Sequence, residues 1–226
     1  IAAGPLLKKA GALIGLDFPV FNELHGKIAF NDPRGGIPRD VPLMIWTDPL
    51  KLFWTDEERE VLGENEKTRW LLEEFPSGVH FRPEGGEGSP TILALWTYDI
   101  KPQEPVWPPV FDKDYAEVVL RGMAGMVPGL SVYLGKAGKP FVDAGYYCKT
   151  QENRPLIGPL PVKGAFMIGA LSGFGIMASM AAGELLGNHV SGSALPDYAP
   201  AFLLSRYEDP AYKKLLQNWD ATSGQL

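Results

Sequence analysis

Ser172-Gly173-Phe174-Gly175 forms a turn between an apolar run and a segment with helical spacing. Glycine leaves no Cβ to hold a ligand away from the backbone. The first amides of the following helix lack intrahelical acceptors, and the helix dipole places partial positive charge there. Such an end suits a phosphate, a carboxylate or the electron-rich edge of a reduced flavin. A tight strand–helix turn under close packing would use the same residues. Other chemistry is less well supplied. His25, His80 and His189 are far apart in sequence, with no HxxxH or HxxE pair, so no metal site is expected. A Walker A loop, a GxSxG elbow and a GxGxxG fingerprint are all missing from the sequence. His80, in Val79-His80-Phe81-Arg82-Pro83, can accept a proton or orient an amine, since imidazole titrates near about 6.5. A solvated sheet face would also explain a histidine next to Arg82. Trp46, Trp54, Trp70, Trp96 and Trp107 can wall an apolar pocket or fill a core.

The chain that must position these groups has 226 residues, 45% of them apolar and 21% charged, ordinary for a globular protein and enough for one large domain or two small ones. Glycine (26) and proline (21) together make about a fifth of it, which implies many turns between short elements. A net charge of −6 argues against a nucleic-acid groove and against an anionic membrane partner. Cys148 is the one cysteine, so no internal disulfide forms, and a reducing, cytoplasmic compartment fits. The sequence opens Ile1-Ala2-Ala3-Gly4-Pro5 without Met and without signal-peptide character, and is expected to begin inside a longer gene product.

Residues 164–183 carry no charge and include Gly169 and Gly173 at GxxxG spacing. Their Gly, Ala and Ser content gives little transfer free energy for a membrane span, and the pattern changes midway from strand to turn to helix. Elsewhere the sequence predicts a short helix over 4–15 and strands between Val20 and Trp46. A helix follows the capping-box pattern Thr55-Asp56-Glu57-Glu58. A hairpin is expected over 79–96, a Pro-rich connector over 102–109, and a helix capped by Asp112 or Asp114. A strand over 142–147 and a final helix near 211–219 complete the pattern. Strands and helices mix without βαβ alternation, so the fold class is α+β.

Several of these segments, in order, resemble the carboxyl-terminal part of the D-amino-acid oxidase/glycine oxidase/sarcosine oxidase superfamily of flavoenzymes. They are Gly145-Tyr146-Tyr147, Thr150-Gln151-Glu152-Asn153-Arg154-Pro155-Leu156-Ile157-Gly158-Pro159, Phe166-Met167-Ile168-Gly169-Ala170, Ser172-Gly173-Phe174-Gly175-Ile176 and Gly183-Glu184-Leu185-Leu186. The resemblance is strong over 143–192 and looser over 17–140. It implies a mixed or antiparallel-sheet substrate domain plus the carboxyl-terminal strand–loop–helix elements of an FAD-binding domain. Residues 1–16 would end the FAD-binding domain, 17–140 would bind substrate, and 141–226 would return to the FAD-binding domain. The amino-terminal dinucleotide-binding half would come from a second polypeptide or a cleaved segment.

The resemblance also implies roles. Ser172, Gly173, Phe174, Gly175, Ile176 and Met177 would lie against the flavin, Ala3 and Gly4 would approach it closely, and Arg154 matches an FAD-contacting arginine in some members. Gly145 stands where some members attach flavin through cysteine, so FAD is expected to bind non-covalently. Met177 replaces a lysine of several oxidases, and Tyr147 replaces a carboxylate-binding arginine of amino-acid-specific members. His80, Tyr147 and Arg82 are the candidates for the substrate side. The implied reaction is dehydrogenation of a C–H next to an amine nitrogen. A hydroxy-acid or polyol dehydrogenase, or a catalytically idle partner subunit, are the alternatives.

Overall fold

The computed structural model describes residues 1–136 and 138–219; residues 220–226 of the expected 141–226 segment lie outside them. In chain order the elements are α1 (Leu7–Ala12), β1 (Phe21–Asn31), β2 (Met44–Ile45), β3 (Leu50–Lys51), α2 (Asp56–Glu64), β4 (Glu74–Phe75), β5 (His80–Pro83) and β6 (Thr91–Leu95). They continue with α3 (Tyr115–Met126), β7 (Phe141–Lys149), β8 (Leu156–Pro159), β9 (Phe166–Gly169), α4 (Gly175–Ser191) and α5 (Pro210–Gln217). Short 3₁₀ turns join several of them. The fold is mixed helix and antiparallel sheet, as the pattern of the sequence implies. Among the described residues no helix is long and apolar enough to cross a membrane.

The chain forms two compact units, one of 1–24, 101–105 and 146–226, the other of 25–100 and 106–145. The second unit is built on a five-stranded sheet in the order β2-β5-β6-β1-β7. The β5–β6 hairpin pairs His80 with Leu95, and β1 pairs Lys27 with the same Leu95. Alternation sends Ile28, Phe30, Phe81, Ile92 and Ala94 into a core that α3 covers with Val118, Val119 and Met123. Burial of these side chains, Ala94 apart, stabilises the unit by about 1.5–3 kcal/mol each. The capping box of α2 forms as the sequence predicts, with Thr55 Oγ1 accepting from Glu58 N and Glu58 accepting from Thr55 N. Arg121 of α3, buried over the Trp54 ring at 3.6 Å, bonds Glu58 at 2.7 Å and Glu117 at 2.8 Å. No side chain caps α3; Asp112 instead accepts from the backbone of Asp114. α2 ends at Glu64, next to Gly63, and a 3₁₀ turn over Arg69–Leu72 follows.

The first unit packs α1 and α4 on the β8–β9 hairpin. Leu7, Phe18, Val20, Cys148, Leu156 and Met167 form one core cluster, and Ile157, Ala182, Leu185 and Ala199 another. Residue 1 runs beside β9, its carbonyl accepting from Ile168 N at 2.9 Å. α4 passes through Gly187 and stops at Gly192, whose φ of +70° suits a residue without Cβ.

Candidate functional site

The turn before α4 is built from strain and close contact. Ala170 and Ser172 are non-glycine residues in the left-handed region, with φ of +56° and +49°. Such backbone costs about 1–3 kcal/mol per residue and tends to gather where a ligand is held. Ser172 N donates to Cys148 O at 3.1 Å, and Phe174 N to Leu171 O at 3.2 Å, so the turn is pinned to β7. The Tyr147 ring lies on Gly173, leaving no room for a side chain there. The first helical bond of α4 runs from Ala178 N to Phe174 O. No side chain caps the helix, and its first turn holds no acidic residue. The amides of Gly175, Ile176 and Met177 therefore form a donor set matched to an electron-rich acceptor.

The outer face of α4 is unusual for a helix. Ile176 is 92% exposed, Met177 76% and Met180 84%, so apolar side chains of its first turns point outward. Only Ala182 and Leu185 of the helix are buried. Ala3 and Gly4 open a 3₁₀ turn, Gly4 with φ of +51° and Leu6 N bonded to Ala3 O at 3.0 Å.

Arg154 sits in the turn after β7. Its backbone is held by Thr150 Oγ1, which accepts from Arg154 N at 2.9 Å and donates to Arg154 O at 2.8 Å. Beneath it lies a polar cluster that sequence reasoning missed. Glu152 Oε1 accepts from Arg206 at 2.7 Å, Tyr207 at 2.7 Å and Tyr212 at 2.9 Å. Burial pushes the Glu152 carboxyl up, but the hydrogen bonds from Tyr207 and Arg206 outweigh it and hold it below the usual range. Arg206 also donates to the carbonyls of Arg154 and Pro155, so the tail residues clamp this turn. Only Glu152 lies in a motif; its partners, 54 and more residues away, carry no local signal. A second missed pair is Lys149 with Glu23, both buried, at 3.0 Å.

In the second unit the side chains that alternate away from the core form the other face of the sheet. It carries His25, Lys27 and Ala29 from β1, His80 and Arg82 from β5, and Leu93 and Leu95 from β6. Lys27 is paired with Asp143 at 3.1 Å, and Arg82 with Glu84. His80 Nδ1 lies 2.8 Å from Gly78 O. A carbonyl can only accept, so Nδ1 carries the proton and Nε2 keeps its lone pair. Burial lowers the His80 pKa from its usual 6.5, and the charge of His25 lowers it further; the Gly78 bond acts in the opposite sense. His25 faces Thr97, with Nδ1 2.9 Å from Oγ1. The period-two spacing of His25 and Lys27 is the signal that would have found this residue. Gly145 lies on the same unit's stretch of β7, with open space where a Cβ would be.

His80 and Arg82 thus share a face, and Tyr147 of β7 lies against the turn that holds Ser172 and Gly173. Trp54 and Trp96 belong to the core, Trp70 stacks on Tyr98, and Trp107 is largely exposed, so the tryptophans wall no common pocket. Among the described residues no group of three or more His, Cys, Asp or Glu could hold a metal ion.

No family model and no curated protein matches the sequence. Solved structures match in shape. Glycine oxidase from Geobacillus kaustophilus aligns with a TM-score of 0.60 at 18% identity, over 91% of this chain and 44% of its own. Iminodiacetate oxidase from Chelativorans sp. BNC1 aligns at 0.58 and 17%, over 89% and 44%. L-proline dehydrogenase from P.horikoshii aligns at 0.57 and 18%, over 92% and 46%. The chain spans less than half the length of each. The chain therefore shares the mixed helix and antiparallel-sheet fold of part of each of these three structures.

Proposed function

We propose that this chain is the substrate-binding and flavin-contacting part of an FAD-dependent oxidoreductase that dehydrogenates an amine or amino acid at a C–H next to nitrogen. The observation that carries the reading is the uncapped amino end of α4, entered through a strained turn that rests on Tyr147. When bound, FAD supplies the two-electron acceptor for a hydride. The chain's residues supply the rest. The amides of Gly175, Ile176 and Met177 offset negative charge on the ring. Ala3, Gly4 and Gly173 let the backbone come close, and Arg154, on its clamped turn, meets the cofactor's anionic side. His80 and Arg82 present the substrate face, with Tyr147 bracing the turn.

FAD is held without a covalent bond. Gly145 offers no thiol, and burial pushes the Cys148 thiol up to about 11, away from nucleophilic reactivity. Residues 1–16 and 141–226 serve the cofactor and 17–140 the substrate. A second polypeptide with the dinucleotide-binding half covers the exposed Ile176, Met177 and Met180, in keeping with a chain that spans less than half of its structural neighbours. A cytoplasmic setting accords with the single cysteine.

Native mass spectrometry of the purified assembly tests this. The expected result is one FAD mass, released on denaturation, together with a companion polypeptide. Anaerobic bleaching of the flavin by amines then tests the reaction. A preparation without flavin overturns the reading; tightly held FAD without a companion chain removes the two-polypeptide part alone.

A further inference from the structure

At the far end of the β1–β6 ladder the second unit holds a cavity of about 560 Å³, within the roughly 300–1,000 Å³ of small-molecule sites. Asn31↔Thr91 is the last pairing there, four residues along β6 from the Leu95 row that carries His80, or about 13 Å at strand spacing. Facing these two residues across the cavity are Tyr133 and the residues that lead into β7, among them Lys136, Lys139 and Phe141. The walls are well anchored. Tyr133 OH donates to Asp32 Oδ1 at 2.5 Å and accepts from Arg34 N at 3.0 Å, and Phe30 packs edge-on against its ring at 5.9 Å. Lys136 N donates to Tyr133 O at 2.8 Å, which ties that lysine to the same anchor. Asp32, buried, also accepts from Gly36 N at 3.0 Å and Ile37 N at 2.8 Å, so its charge is already taken up.

The chemistry of the lining is one-sided. Lys136 and Lys139 are exposed, and neither is paired with a carboxylate among the described residues. Among the described residues no acidic one lines the cavity. Thr91 Oγ1 donates to Asn31 Oδ1 at 3.3 Å, which leaves Asn31 Nδ2 to donate elsewhere. Phe141, 66% exposed, offers a flat apolar surface. In a chain of net charge −6, a cavity with two unpaired cations and no carboxylate sorts its ligands by sign. We propose that it binds a small organic anion: a phosphate or carboxylate group carried on a flat apolar body. Lys136 and Lys139 meet the charge, Asn31 Nδ2 donates to it, and Phe141 lies along the apolar part. The site takes no residue from the first unit and uses neither His80 nor Arg82, so it stands apart from the flavin reading.

Calorimetric titration of the purified full chain, with the cofactor and polypeptide that accompany it, tests this. The probes are phenyl phosphate, phenylacetate, inorganic phosphate and benzylamine. The two ring-bearing anions should bind, inorganic phosphate more weakly for want of a ring, and benzylamine not at all. Tighter binding of phenyl phosphate assigns the site to phosphate esters, and tighter binding of phenylacetate to carboxylates. The double variant Lys136→Gln with Lys139→Gln changes only exposed side chains, so its melting temperature should match the parent's while affinity for both anions falls about tenfold. Phe141→Thr, which suits a strand, should weaken the ring-bearing anions and spare inorganic phosphate. Added salt should weaken all the anions together. Binding of neither ring-bearing anion, benzylamine binding as tight as theirs, or anion binding undiminished in the folded lysine variant overturns the proposal. Flavin absorbance of the same samples reports separately on the FAD reading, so the two can fail independently.

Discussion

The Tyr147 ring lies so close over Gly173 that a Cβ added there would stand 2.3 Å from Cε2 and 2.7 Å from Cζ. The strand that carries Tyr147 and the turn that opens α4 therefore fit only because position 173 has no side chain. Gly173→Ala should destabilise the protein by about 1–3 kcal/mol, the usual cost of overpacking. Adding Tyr147→Ala should restore part of that loss. Thermal unfolding of the two single variants and the double variant measures the coupling.

Gly175 behaves differently. A Cβ there would meet only Leu171 Cβ, at an ordinary 3.5 Å. Gly175→Val should thus fold with a melting temperature near that of the parent, while the valine intrudes on the space assigned to the flavin. FAD content at or near zero in a folded variant is the expected result, read from visible absorbance; full content would refute the assignment of this turn.

Glu152 sets an acid limit on stability. Its folded pKa lies below the usual 4.5, so its contribution is complete above that value and is lost as pH falls through the folded pKa. Glu152→Gln should lose about 3 kcal/mol at neutral pH, because it leaves the Arg206 charge buried without a partner. Its melting temperature should also fall less steeply with acid than the parent's. Melting curves between pH 7 and the acid limit compare the two.

Lys149 and Glu23 form a buried pair in the first unit. Lys149→Met alone should cost about 3–5 kcal/mol, whereas Lys149→Met with Glu23→Leu should recover most of it, as replacement of a whole buried pair by apolar groups often does. Denaturant unfolding of each variant gives the cycle.

Cys148 is buried, and its thiol is pushed up to about 11 by desolvation, against a smaller opposing effect of the Ala170 amide. The native protein should resist aromatic disulfide reagents at pH 8 and react fully once unfolded. Counting modified thiols by mass in both states checks it.

Much of this was legible in local pattern. Thr55 and Glu58 announce their own capping box, and the alternation through Val79–Trp96 announces the β5–β6 hairpin. Ser172-Gly173-Phe174-Gly175 marks the start of α4 because glycine-rich turn chemistry is itself local. Three kinds of feature were not legible. The exposure of Ile176 and Met180 was hidden because periodicity gives a face and not its direction. The cap expected from Asp112 or Asp114 failed because Asp112 bonds a backbone amide two residues on instead. The clamp of Glu152 by Arg206, Tyr207 and Tyr212, and the contact of His25 with Thr97, join residues more than 50 positions apart, which no window of sequence reveals.

Neither unit is a continuous stretch: the first takes up residues 1–24, then 101–105, then 146–226. During synthesis, the opening 24 residues must wait for more than a hundred others before their packing partners leave the ribosome, whereas 25–145 can consolidate early. Truncation at both ends to 25–145 would keep the whole second unit, whereas the first could be isolated only by rejoining its separate stretches, through a linker or a circular permutation.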